Sequence, residues 1–299
     1  MKQKVNIARF QSGLTIVELM VSLAIGLVLM GGMVQIFATN KSAYRYNNSI
    51  AEVQNNGAYA LEFVVNQIAQ IGYVPTWIGY QERDRNNDGL RNRNDMEIWA
   101  YGATPPLIGI EGSASASDSI IINTFVDPAD PAPMDCVGNP VKAPGMFIGP
   151  LGLGAGGAPG YGFVNMLSVV TNAAGISMLT CNGVEVAEGV ENMQILYGVD
   201  TANLALPPPF RFDGIVDQYM TFNEIVAPNT PLNILSVRVS LLVASNEQAR
   251  KADNTKTNNL LDTPIGPAKD RKLRNVYTAT VRLRNRCVKF PSSATSICA

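Results

Sequence analysis

Residues 14–34 form a run of 21 residues whose only charge is Glu18, and the run lies directly behind a short basic leader. Nothing else in the chain restricts its fold as strongly, because ~20 mainly apolar residues in helical form match the ~30 Å hydrocarbon core of a bilayer. Residues 1–13 hold Lys2, Lys4 and Arg9 and no acid, so this end stays cytoplasmic and the bulk of the chain lies on the far side. An ordinary secretory signal sets its apolar stretch ahead of a small-residue cleavage site. Here the small residue, Gly13, comes first, so the apolar segment is kept after cleavage.

Glu18 is the residue that an apolar run should not contain. An unpaired carboxylate in a bilayer costs several kcal/mol, and intramembrane acids usually act through a partner. Cleavage after Gly13 would make Leu14 a new N-terminus with Glu18 four residues along, about one helical turn away. The ammonium of one subunit is then placed to neutralise Glu18 of a neighbour. Gly26, Gly31 and Gly32 interrupt the run, either as close-packing positions or as the glycines common in membrane helices.

Beyond the membrane the helical pattern continues. No proline occurs before Pro75, and Ala43, Tyr46, Ile50, Val53, Gly57, Leu61, Val64, Ile68 and Ile71 recur at steps of three and four, one face against a core. Gly72 and Pro75 end the pattern. The punctuation then changes to strand-like runs at 119–126, 163–171, 176–181, 193–199, 235–244 and 276–285, with alternation clearest in SVRVSLLV and VYTATVRLR. The expected fold is α+β, a long N-terminal helix packed on an antiparallel β-sheet domain. Its expected parts are a leader at 1–13, a membrane helix at 14–34, an amphipathic helix at 35–74 and a β-rich domain at 75–299. Stretches 127–160 and 205–231 read as long loops, and 251–272 as an exposed, mobile one.

Composition narrows the function. The chain contains no histidine, which removes the usual general base and the commonest metal ligand; no catalytic constellation is left, and an enzyme is not expected. A net charge of -1 gives no nucleic-acid-coating surface. The four cysteines, Cys136, Cys181, Cys287 and Cys298, form no CxxC pair and read as disulfides of an exported domain. Of three connectivities, Cys287 with Cys298 and Cys136 with Cys181 is favoured by sequence proximity.

One segment has metal-ligand spacing. DRNNDGLRNRND at 84–95 sets Asp84, Asn86 and Asp88 at alternating positions, Gly89 at the sharp turn, the Leu90 carbonyl and Asn92 beyond it, and Asp95 at the twelfth place. This is either a calcium loop with a short final ligand or a solvated Asp/Asn/Gly turn. Gly152, Gly154 and Gly157 match G-x-G-x-x-G without strand-to-helix context and read as a flexible loop. Two basic runs, Lys269 to Arg274 and Arg282 to Lys289, lack interleaved aromatics and read as solvated faces.

The sequence Gly13, Leu14, Thr15, Ile16, Val17, Glu18, Leu19 resembles the signal of type IV pilins and type II secretion pseudopilins. That resemblance implies a prepilin peptidase cutting between Gly13 and Leu14, N-methylation of Leu14, and Glu18 supporting assembly. Leu14 stands where phenylalanine is usual. EGVENMQILYGVD at 188–200, LSVRVSLLVAS and the closing YTATVRLRNR resemble the C-terminal half of PilW-type minor pilins. This implies an inner-membrane protein with a periplasmic domain that joins other minor pilins and the major pilin in a priming complex at the pilus tip, with a tip adhesin as a further partner. Two alternatives remain: a minor pseudopilin of type II secretion, and a membrane-anchored calcium-dependent binding module built on residues 84–95. No cofactor is required; calcium at residues 84–95 is the one ion the sequence leaves open.

Overall fold

A computed structural model describes residues 13, 15–71, 106–125, 134–140, 162–201, 214–226, 233–284, 287–289 and 296–298. The chain divides into two units, residues 1–48 and 49–299. One helix, α1 (Ile16–Ala69), contributes to both. It ends in a tightened turn, with the amides of Gln70 and Ile71 bonding the carbonyls of Gln67 and Ile68 three residues back.

In the second unit α1 buries Ser49, Val53, Gly57, Ala60, Val64 and Ile68. The buried face starts at Ser49, later than the stripe predicts: Ala43 and Tyr46 are exposed, and Ala60 takes the inner position while Leu61 sits at the margin. Fifty-four residues of helix are therefore amphipathic only over the last third or so.

The first sheet is a meander in chain order, β1 (Leu107–Ile110), β2 (Ser119–Phe125), β3 (Gly162–Thr171), β4 (Ser177–Cys181) and β5 (Val184–Glu188). Asn182 and Gly183, both at positive φ, make the two-residue turn between β4 and β5. The chain then passes to a second sheet through Gly189 alone. At φ +81° its amide bonds Ser177 of β4, its carbonyl accepts from Ala244, and a Cβ would lie 2.5 Å from the Ala244 carbonyl oxygen.

The second sheet contains β6 (Val190–Val199), β7 (Gln218–Met220), β8 (Ile234–Ala244) and β11 (Arg274–Arg282), in the order β11-β8-β6-β7 and antiparallel throughout. A 3-10 turn, Phe222–Glu224, follows β7. Two small hairpins complete the described elements: β9 (Asn258–Leu260) with β10 (Thr263–Ile265), and β12 (Cys287–Lys289) with β13 (Ser296–Cys298). The core gathers Val64 and Ile68 of α1, Ile120, Leu167 and Leu179 of the first sheet, and Ile195, Tyr197, Val239 and Leu241 of the second.

The structure corrects one expectation and adds a detail to another. The segment 251–272 is not simply an exposed loop: it contains the β9–β10 hairpin, Leu260 is fully buried, and Asn254 and Asn258 are buried beside it. The polar face of β8 is also covered. Ser236 and Ser240 are buried, satisfied by the Tyr219 hydroxyl at 3.0 Å and the Thr278 hydroxyl at 2.9 Å. Alternation in the sequence thus marks polarity here rather than exposure.

Candidate functional site

Gly13 is exposed and outside the helix, and the helix begins within three residues of it, at Ile16. Thr15 caps the start, its hydroxyl accepting from the Glu18 amide at 3.3 Å while its carbonyl takes the Leu19 amide at 3.2 Å. Glu18 is consequently in the first helical turn, where a carboxylate meets the positive end of the helix dipole. The Thr-x-x-Glu spacing of Thr15 and Glu18 was a legible capping signal that sequence reading passed over. Leu14 lies outside the described residues.

From Ile16 to Phe37 the large apolar side chains of α1 are all exposed, more than half bare in every case. A Cβ at Gly26, Gly31 or Gly32 would meet nothing within 4 Å among the described residues. A surface this apolar is not left in water; it needs lipid or other helices around it.

The domain is braced by a disulfide and, beside it, by side-chain hydrogen bonds that the sequence did not single out. Cys136 is disulfide-bonded to Cys181 of β4 across 45 residues. Beside that bond, buried Asn165 of β3 donates to Gln67 of α1 at 2.8 Å and accepts from the Cys136 amide at 3.3 Å, so helix, sheet and disulfide loop meet on one amide. Cys287 and Cys298 are direct cross-strand partners in the β12–β13 register.

Arg274, predicted as part of a solvated basic face, is half-buried, with only 5% of its side chain exposed. Its guanidinium holds Glu191 at 2.6 and 2.8 Å and Asp270 at 2.5 and 2.6 Å. Burial works against its charge, but the hydrogen bonds it donates to Asp270 and Glu191 outweigh this and raise its pKa; the same bonds hold Asp270 below the usual carboxylate range. Glu191 reaches Arg274 from the residue skipped by the β6–β8 register, a bulge that turns one side chain out of strand alternation.

A second charged cluster joins the β1–β2 connection to β6. Asp118 accepts from the amides of Gly112 and Ile195, both at 2.8 Å, and Glu111 accepts from Phe222 of the 3-10 turn at 2.7 Å. Burial first, then the charges of Asp118 and Asp262 and the hydrogen bond to Asp118, push Glu111 up to about 7 against the pull of the Phe222 amide. Burial also raises Asp118, opposed by its two amides.

The possible calcium ligands, Asp84, Asn86, Asp88, Leu90, Asn92 and Asp95, lie outside the described residues, as do Gly152, Gly154 and Gly157. Among the described residues no group of three or more Cys, Asp or Glu is placed to hold a metal ion.

Against known proteins, residues 161–285 match the family model of the type IV pilus-assembly protein W, and residues 8–34 match the prokaryotic N-terminal methylation motif. A type IV-like pilin from Thermus thermophilus is remotely similar, at 12% identity and a TM-score of 0.29, over 64% of this chain and 93% of that one. No curated protein matches in sequence. A methylation motif opening a long exposed apolar helix, followed by antiparallel sheets, defines a pilin of the type IV class. Both sheet strands that line the core around β8 fall within the matched C-terminal region. Within that class, the matches over residues 8–34 and 161–285 support a PilW-type minor pilin.

Proposed function

We propose that the chain is a structural subunit of the type IV pilus, held in the inner membrane as a prepilin with its domain periplasmic, cut by prepilin peptidase between Gly13 and Leu14, and methylated at Leu14. It then enters the fibre through the apolar helix, with Glu18 neutralised by the N-terminal amine of a neighbouring subunit. Its partners are other minor pilins and the major pilin, and its place is a priming complex at the tip, where an adhesin is a further partner. The parts of the chain are a leader at 1–13, an inserted helix from residue 14, a helical stalk and the β-rich domain. Cys287 and Cys298 form the second disulfide.

The observation that carries this reading is the exposed apolar surface of α1, which starts one residue after the Thr15 cap and which no described residue covers. The mature N-terminus tests it. Mass spectrometry of assembled pili should find a chain starting at methylated Leu14, and a peptidase-deficient strain should retain residues 1–13; a chain starting at Met1 in assembled pili ends the proposal. Glu18→Ala should be processed normally and be absent from the fibre. Co-purification of sibling minor pilins with the full chain tests the priming complex.

A further inference from the structure

We propose that Phe37, Lys41, Tyr44 and Arg45 form an interfacial belt that binds the phospholipid headgroups of the leaflet facing the domain, and that this belt sets the helix depth with Glu18 at the opposite boundary. The inference rests on the membrane-held prepilin described above and changes its register. The charge-free stretch between Glu18 and Lys41 is residues 19–40, all within one unbroken helix. At 1.5 Å per residue it spans ~33 Å, against ~30 Å of hydrocarbon.

A window over residues 14–34 is one residue shorter and leaves two faults. It places the Glu18 carboxylate inside hydrocarbon and leaves Ile36 and Phe37, 63% and 71% exposed, in water. Moving the window by about five residues, or ~7 Å, removes both.

The residues at the shifted boundary, Phe37 just inside it and Lys41, Tyr44 and Arg45 just past it, have the chemistry of a membrane interface. Phe37, Lys41 and Tyr44 follow at steps of four and three, with Arg45 four residues after Lys41, on one helix face. Tyr44 is 73% exposed, and Lys41 and Arg45 are exposed beside it. No acid occurs between Glu18 and Glu52, so neither cation has a carboxylate within a helical turn. Cations with no carboxylate nearby on their own helix, on long apolar stems next to a phenol and a phenyl ring, suit the phosphate and ester zone of a phospholipid leaflet. Two cations on the translocated side also oppose the basic leader's orienting bias, which lipid phosphate on that side would offset.

The test uses the full unprocessed chain in cell membranes, with single cysteines at positions 36, 38, 42 and 47 and a membrane-impermeant maleimide added from the domain side; the parent chain supplies the background. Ile36→Cys and Ala38→Cys should be protected, and Ser42→Cys and Asn47→Cys labelled. In the same membranes a phospholipid with a photoreactive headgroup should crosslink to residues 41–45, and Lys41→Gln/Arg45→Gln should lower that yield several-fold. Labelling of Ala38→Cys as fast as Asn47→Cys, in a chain that stays with the membrane, overturns the belt and spares the membrane reading. So does a crosslink yield unchanged in the double variant. A chain recovered in solution with all four positions labelled overturns both.

Discussion

Gly57 lies where helix propensity and packing give opposite signs. In an exposed helix Gly→Ala gains about 1 kcal/mol. Here a Cβ would fall on the Tyr277 ring edge, 2.5 Å from Cζ and 2.7 Å from Cδ2, and the same ring's hydroxyl bonds the Val53 carbonyl at 3.1 Å. The ring sits on β11 and cannot retreat without giving up that bond. Overpacking costs typically 1–3 kcal/mol and the lost hydrogen bond about 1 kcal/mol, so Gly57→Ala should destabilise by ~2 kcal/mol net. Urea denaturation of the full chain in detergent, followed by tyrosine and tryptophan fluorescence, reads this as a lowered midpoint at unchanged slope. The decisive comparison is the Tyr277→Ala background, where the obstacle is gone and Gly57→Ala should stabilise by up to about 1 kcal/mol. A stabilising Gly57→Ala in the native background, or the same sign in both, refutes the argument that the glycine is there for the ring.

Three further outcomes follow from the domain's contacts. Arg274→Met should destabilise by about 2–4 kcal/mol, read as a lowered denaturation midpoint, since it strands two carboxylates, while Asp270→Asn should cost less because Glu191 still holds the guanidinium. Cys136→Ser opens a bond spanning 45 residues and should destabilise by ~4 kcal/mol on chain-entropy grounds, read by the same titration without reductant. Because folding raises Glu111 from 4.5 to about 7, its contribution is intact below pH 4.5 and is lost as pH rises towards 7. Thermal midpoints from pH 4 to 8 should therefore decline less in Glu111→Gln, which keeps a donor towards Asp118 and an acceptor for the Phe222 amide; parallel profiles would show that Glu111 does not titrate as described.

The apolar run, the basic leader and the spacing of Gly13 and Glu18 are local features, and local spacing is what a helix converts directly into position. The long helix and the strands around 119, 163, 177, 193, 235 and 276 were legible for the same reason: period 3.6 and period 2 are written in neighbouring residues. Short elements were not. β7, β9 and β10 have three residues each, too few to show a period, and they exist because longer strands beside them offer a surface.

The charged residues divide along the same line. Glu18 and its cap Thr15 act on a partner three residues away, and the motif that names the class lies wholly within residues 8–34. Arg274 and Glu191 are 83 residues apart, Glu111 and Phe222 are 111 apart, and Asn165 and Gln67 are 98 apart. No reading of neighbours would have paired them, because burial and sheet register create those partnerships. Sequence alone therefore determined what kind of subunit this is and how its helix begins. Tertiary structure decided which charges are structural, since only folding sets the distance and dielectric that turn a surface arginine into a buried brace.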